Sequence, residues 1–357
     1  MNKAIRFFLI CLLMAMILAG CATRPIITEA KQNEIDAFYE KVDRLLSDRN
    51  FNGSVLVAKD GIIYLANGYG LSEENSDVKN QRETIYQIGS ITKSFTAMAI
   101  MQLQEAGKLD VQDPIDKYFP NYTNDSKITI HHLLTHTSGF DQYTINFSEF
   151  NEQWNLHNGI LDKNMVAEIM GMVASKPLLF EPGTKFDYNS YGYRILGAII
   201  ESVSGLPYGT YIDENICKPL ELQHTGYNES NIPLEGQARA FERSFNANVP
   251  ITFSYASGGM HATIDDLFKW TQAIKTNRLI SKSSTQEMLN PFLARYAYGW
   301  IVDQKGGFMH EGTWGGYRAL VNVDVANDFV IIILSNYPAE GELYRIEEIL
   351  KKYIKNI

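Results

Sequence analysis

Ser90-Ile91-Thr92-Lys93, directly behind Gly89, opens a long amphipathic segment and sets a hydroxyl three residues before an amine. On a helix that spacing puts both side chains on one face, one turn apart. An amine so placed can deprotonate a serine without a histidine, provided burial or neighbouring charge lowers its pKa from about 10.4 and keeps it neutral. At a helix N-terminus, free backbone N–H groups can also stabilise a developing oxyanion. The chemistry indicated is that of a serine acyl-transfer nucleophile. A second Ser-x-x-Lys, Ser76 to Lys79, lies in the polar run Leu71 to Glu83, which has no apolar period and reads as a solvated loop. After Ser90 come Phe95, Met98, Ala99, Met101, Leu103 and Ala106, enough for a mostly buried helix that Gly107 ends.

A lysine-activated serine needs a proton route to the leaving group, a second oxyanion donor and a wall for the substrate. Tyr188, in Tyr188-Asn189-Ser190, is a candidate shuttle, because a phenol beside a lysine ammonium can have a lowered pKa. His310-Glu311-Gly312-Thr313 ends a predicted strand, where a glycine permits close approach of a ligand backbone and the Thr313 N–H can be the second donor. Two rivals are weaker. His132 and His136 stand four apart on a predicted helix, a spacing that can hold a metal, but no Glu lies between them as in a metalloprotease. Ser138 reads as the end of a helix, and the chain has no Gly-x-Ser-x-Gly elbow.

The elements that must position these groups follow from the pattern. Residues Glu34 to Leu46 carry apolar positions at helical spacing, and 53–66 read as a hairpin turning at Asp60-Gly61. The stretch from about 90 to 290 is mainly helical, broken by Pro and Gly loops. Strand patterns resume at Tyr298 and continue through Phe329 to Leu334, and a helix from about Glu340 to Ile354 closes the chain. Strands at both ends with helices between predict one antiparallel sheet built from both termini, with a large helical insertion.

The chain has 357 residues, 45% hydrophobic and 20% charged, with a formal net charge of −9. Lys3 and Arg6, the apolar run Phe7 to Leu18, and Leu18-Ala19-Gly20-Cys21 resemble a bacterial lipoprotein signal, with Cys21 as the lipidated mature N-terminus. The expected organisation is a signal peptide over 1–20, a tether over 21–33 and one domain over 34–357. The domain would stand outside the cytoplasm on a lipid anchor. Loss of residues 1–20 removes two positive charges and no acid, giving −11. A body this acidic argues against nucleic acid as a partner. Beyond Cys21 only Cys217 remains, so no internal disulfide, zinc-type cysteine cluster or Cys-x-x-Cys pair is available. No metal or other cofactor is implied.

Ser-x-x-Lys, then a Tyr-x-Asn-like motif, then His-x-Gly, in that order, resembles the serine β-lactamase and penicillin-binding protein superfamily, in particular its class C β-lactamase-like branch of serine hydrolases. Ile130 to Gly139, Pro182-Gly183 and Ser257 to Leu267 match that branch too, so the resemblance spans roughly residues 35 to 355. It implies an α/β (α+β) β-lactamase/transpeptidase-like fold, with Ser90 as nucleophile, Lys93 as its base and Tyr188 as proton shuttle. The N–H groups of Ser90 and Thr313 would form the oxyanion hole, with His310, Gly312 and Ser190 lining the site. The substrate would be a small molecule or peptidoglycan-derived: an ester, an amide, a D-amino-acid peptide or, weakly, a β-lactam. The alternative is a penicillin- or peptidoglycan-binding lipoprotein with little turnover.

Two positions depart from the family pattern. Ser190 stands where asparagine is usual, and either it or Asn189 would supply that contact. Glu311 stands where a small or hydroxyl residue is usual. Pointed inward, it would repel a substrate carboxylate. With His310 neutral near pH 7 and no lysine beside it, the site then offers little cation, so neutral esters or amides are the expected substrates. On a strand Glu311 can also face away from its neighbours. The loops Phe140–Trp154 and Glu229–Tyr255 carry aromatics and are expected to shape the pocket.

Overall fold

The computed structural model describes residues 27–122, 128–141, 162–174, 176–227, 232–241, 251–337 and 341–357. The signal, Cys21 and most of the tether therefore lie outside the described residues, as do Tyr143, Phe147, Trp154 and Phe245 of the two loops. Contacts divide the chain into Met1–Ala37 and Phe38–Ile357, and every residue of the candidate site belongs to the second unit.

Helix Glu29–Asp48 buries Phe38, Val42 and Leu46, four apart on one side. It starts earlier than expected because its first turns are polar and carry no apolar period to read. The hairpin of β1 (Gly53–Lys59) and β2 (Ile62–Tyr69) turns at Asp60 and Gly61, both at positive φ, as a tight two-residue turn requires. In the middle of the chain lie the short strands β3 (Tyr86–Gln87), β4 (Gly226–Tyr227) and β5 (Met260–Ala262). The C-terminal part supplies β6 (Ile301–Val302), β7 (Phe308–Trp314), β8 (Tyr317–Asp324) and β9 (Phe329–Ser335).

The main sheet runs β2-β1-β9-β8-β7-β6 with every neighbouring pair antiparallel. Its centre joins the two ends of the chain: Gly53 pairs with Ser335 and Lys59 with Phe329. That is the expected architecture. A second sheet, β3-β5-β4, lies within the insertion. Its strands are two or three residues long, too short for an alternation to show in sequence.

β9 is buried along its whole length, which explains its unbroken apolar run. Val330, Ile332 and Leu334 belong to the large core shared with the helical region, while Ile331 and Ile333, equally buried, face the other way. Helix Ile264–Lys275 packs on β1 and β9, and helix Glu342–Lys355 packs on β8 and β9. Helix Thr92–Glu105 is buried on nearly every side, as a central helix must be. Phe95 stacks on Trp270 at 4.2 Å, and the Trp270 indole N–H donates to Ser94 Oγ at 3.1 Å.

Candidate active site

Ser90 lies in a 3₁₀ turn, Gly89–Ile91, that leads directly into helix Thr92–Glu105. β5 holds this turn: Ile88 N donates to Met260 O at 3.0 Å, and Met260 N donates to Thr92 Oγ1 at 3.1 Å. On its other side the turn docks against β7 through two glycines. A Cβ on Gly312 would stand 1.9 Å from Ile88 O and 3.1 Å from Ser90 N. Gly89 has φ +50°, and a Cβ there would stand 2.6 Å from Thr313 N. Only glycine allows this approach, which brings the N–H groups of Ser90 and Thr313 to the same edge.

Lys93 is fully buried, one turn after Ser90. Its Nζ lies 3.0 Å from Ser90 Oγ, 2.7 Å from Ser257 O and 3.3 Å from Ser190 Oγ. Burial first, and the charge of Arg194 second, hold its pKa well below the usual lysine range. A neutral amine has two N–H groups and one lone pair. Ser257 O can only accept, Ser190 Oγ takes the second N–H, and the lone pair is left for the Ser90 hydroxyl proton. Such an arrangement can deprotonate Ser90.

The Tyr188 phenol hydrogen-bonds the Ser90 side chain. Its pKa is raised by burial and by the charge of Glu311, against the lowering effect of that hydrogen bond. The expected lowering is thus reversed. The physical reason is burial: Tyr188 loses its water, and no cation is among the groups that shift it. Asn189 caps helix Ser190–Ser204: its Oδ1 accepts from Tyr191 N at 2.8 Å and its Nδ2 donates to Phe140 O at 2.7 Å. The contact to Lys93 falls to Ser190.

His136, which the sequence offers as half of a metal pair and as part of the family-like stretch Ile130 to Gly139, braces Tyr188. Helix Ile130–Leu134 ends before it, and His136 itself has φ +57°. Its Nδ1 accepts from Asn189 N at 3.1 Å, its carbonyl accepts from Asp187 N at 2.9 Å, and its ring lies 4.3 Å from that of Tyr188. It therefore holds both sides of Tyr188 in place. His132 instead caps its own helix, with Nδ1 accepting from Thr129 N at 3.1 Å. Ser138 is buried, with Oγ accepting from Phe140 N at 3.4 Å, and Ser76 is a half-buried bend residue whose Oγ donates to Glu73 O at 2.9 Å.

His310 lies beneath the site, 2% exposed. Its Nδ1 donates to Glu311 O at 2.6 Å, so its Nε2 is the acceptor for the Tyr296 hydroxyl at 2.9 Å. Burial, then the charge at Lys93, pushes its pKa down to about 3, so the ring is neutral. Glu311 alternates away from His310 and Gly312 and shares the exposed face of β7 with Thr313. Its carboxyl loses enough water for its pKa to rise, with Arg318 opposing. Glu311 is nevertheless electrostatically part of the site, since its charge reaches Tyr188.

Arg194 was not anticipated. It lies one turn after Ser190 on helix Ser190–Ser204 and its charge reaches Lys93, so the expectation of a site nearly without cations is corrected. The signal was present as an i, i+4 spacing from Ser190, but nothing in the local sequence shows which face of that helix meets the site.

The Beta-lactamase family model matches residues 39–353. PbpX of Bacillus subtilis (strain 168), a penicillin-binding protein candidate, is 27% identical over 313 residues, covering 86% of this chain and 76% of PbpX. Among solved structures, FmtA from Staphylococcus aureus superposes with a TM-score of 0.76 at 26% identity, covering 90% of this chain and 89% of FmtA. The octameric penicillin-binding protein homologue from Pyrococcus abyssi gives a TM-score of 0.71 at 26% identity, covering 89% and 77%. The match extends over nearly all of the second unit, through both halves of the sheet and the helical insertion between them, and the chain belongs to the Beta-lactamase family of serine hydrolase-fold proteins.

Proposed function

We propose that the protein hydrolyses esters or amides through an acyl-enzyme on Ser90. The observation that carries this reading is the buried Lys93, its pKa held well below the usual lysine range and its Nζ within hydrogen-bond reach of Ser257 O, Ser190 Oγ and Ser90 Oγ; with the first two taking its N–H groups, the lone pair is left for Ser90. Lys93 takes the hydroxyl proton as Oγ bonds to the acyl carbon, and the carbonyl oxygen becomes an oxyanion against the Ser90 and Thr313 N–H groups. Collapse breaks the bond to the leaving group. The Lys93–Tyr188 pair, acting as a unit, returns the proton to the departing oxygen or nitrogen. Water then enters, the same pair removes its proton, and Ser90 is released with the acid.

The substrate class we infer is an ester or amide, D-amino-acid derivatives included, whose leaving group carries no carboxylate. Glu311 supports this: its charge reaches Tyr188, where the leaving group takes its proton. We also propose that the protein stands outside the cytoplasm on a lipid at Cys21. Among the described residues no helix is long and apolar enough to cross a membrane.

The test is turnover of 4-nitrophenyl butyrate, nitrocefin and a D-Ala-D-Ala peptide in parallel, with Ser90→Ala and Lys93→Ala as controls. Ester hydrolysis lost in both variants is the expected result. A stable acyl-Ser90 adduct with penicillin and no turnover would instead make the chain a binding lipoprotein.

A further inference from the structure

Arg194 is an uncompensated cation at the edge of the site. Its Nε is buried and has no hydrogen-bond partner, and among the described residues no carboxylate pairs with its guanidinium. The guanidinium stacks over Phe253 with 4.0 Å from Cζ to the ring centroid, which fixes its plane and leaves its edge for a ligand. Burial brings its pKa down to about 10, so it stays charged at neutral pH. The residue is partly accessible, so a substrate group can reach it.

Leaving a buried guanidinium N–H unpaired costs stability, about 1–3 kcal/mol and more for a charged group. A cation kept in this state one turn after Ser190, which itself touches the lysine, is a poor choice for packing alone. It does have a chemical use, because it depresses the Lys93 pKa and offers a planar fork to an anion. Arg194 follows Ser190, whose Oγ lies 3.3 Å from Lys93 Nζ, by one turn of the same helix. With the leaving group free of carboxylate in the reading above, the anion it receives belongs to the acyl part.

Resting on the hydrolase reading above, we infer that Arg194 is a specificity residue that receives a carboxylate on the acyl part of the substrate, placed one helical turn beyond Ser190 and stacked on Phe253. The preferred substrate is then an ester or amide with an anionic acyl group and a leaving group free of carboxylate.

The test separates binding from turnover. Full-length Ser90→Ala protein is titrated with monomethyl adipate and with dimethyl adipate, and the titration is repeated in Ser90→Ala/Arg194→Gln. The expected result is about 10- to 100-fold tighter binding of the half-ester, a preference lost in the double variant. Equal affinity for the two compounds, or a preference that survives Arg194→Gln, overturns the inference. Should the glutamine variant not fold, a half-ester preference in Ser90→Ala that does not weaken with added salt overturns it equally. Turnover of the two esters by the wild type is read separately. No hydrolysis of either sinks the hydrolase reading, while the titration still decides whether Arg194 selects the anion.

Discussion

Lys93 Nζ donates to the Ser257 carbonyl oxygen at 2.7 Å, and this bond orients the amine toward Ser90. Ser257 is 164 positions further along the chain and ends the segment Ile251–Ser257 next to β5. A backbone acceptor cannot take a proton or turn away, so it constrains the amine more tightly than a second hydroxyl would. The consequence is a pH profile. Burial holds the Lys93 pKa well below 10.5, and since only the unprotonated amine can act as base, kcat/KM should fall about tenfold per unit as pH drops through that lowered value. His310 adds no limb above about 3, and the raised Tyr188 keeps its proton through the ordinary phenol range. A plot of log kcat/KM against pH with its acidic limb near 10 would rule out a neutral Lys93.

Gly312→Ala should remove activity more than it removes structure. The new methyl would have to displace Ile88 O, which stands 1.9 Å from its ideal position, and so push β7 away from the serine turn. Separating the two N–H donors should lower kcat by about 100-fold or more. Kinetics with a thermal melt decide the point: an active, folded variant would mean that the approach of β7 to the turn is not needed.

Tyr296→Phe leaves His310 Nε2 buried without its donor. The cost should be about 1–3 kcal/mol. Denaturant titration reads it as a lower midpoint with unchanged slope. No loss would mean that water replaces the hydroxyl.

Glu311→Gln removes the negative charge from the face of β7 shared with Thr313. Turnover of substrates with a carboxylate on the leaving-group side, nitrocefin among them, should rise relative to neutral esters by about tenfold, the effect of roughly one unscreened charge contact. An unchanged ratio would show that Arg318 already cancels Glu311.

Cys21→Ala tests the anchor. Cells fed a clickable palmitate analogue should label the wild type and leave this variant unlabelled and released from the membrane fraction. Label retained in the variant would place the anchor elsewhere.

Sequence by itself determined the candidate nucleophile and the frame around it. Ser90, in a 3₁₀ turn, and Lys93, in the first turn of the helix that follows it, stand three residues apart, and the hairpin at Asp60-Gly61 and the unbroken apolar run of β9 are likewise short-range patterns that depend only on neighbours. The family resemblance carried Tyr188, Thr313 and His310 to the same place, and their separations along the chain could not have done so. Tertiary structure alone decided everything that depends on burial or on a distant partner. The Lys93 pKa falls because the surrounding core removes its water, and Tyr188 goes up where proximity to an ammonium suggested down. His136 braces Tyr188 because its helix stops two residues short of it. Arg194 comes near the site because helix Ser190–Ser204 brings Ser190, one turn before it, against Lys93. Charge states and helix orientation are set by the sum of long-range packing, and no window of local sequence contains that sum.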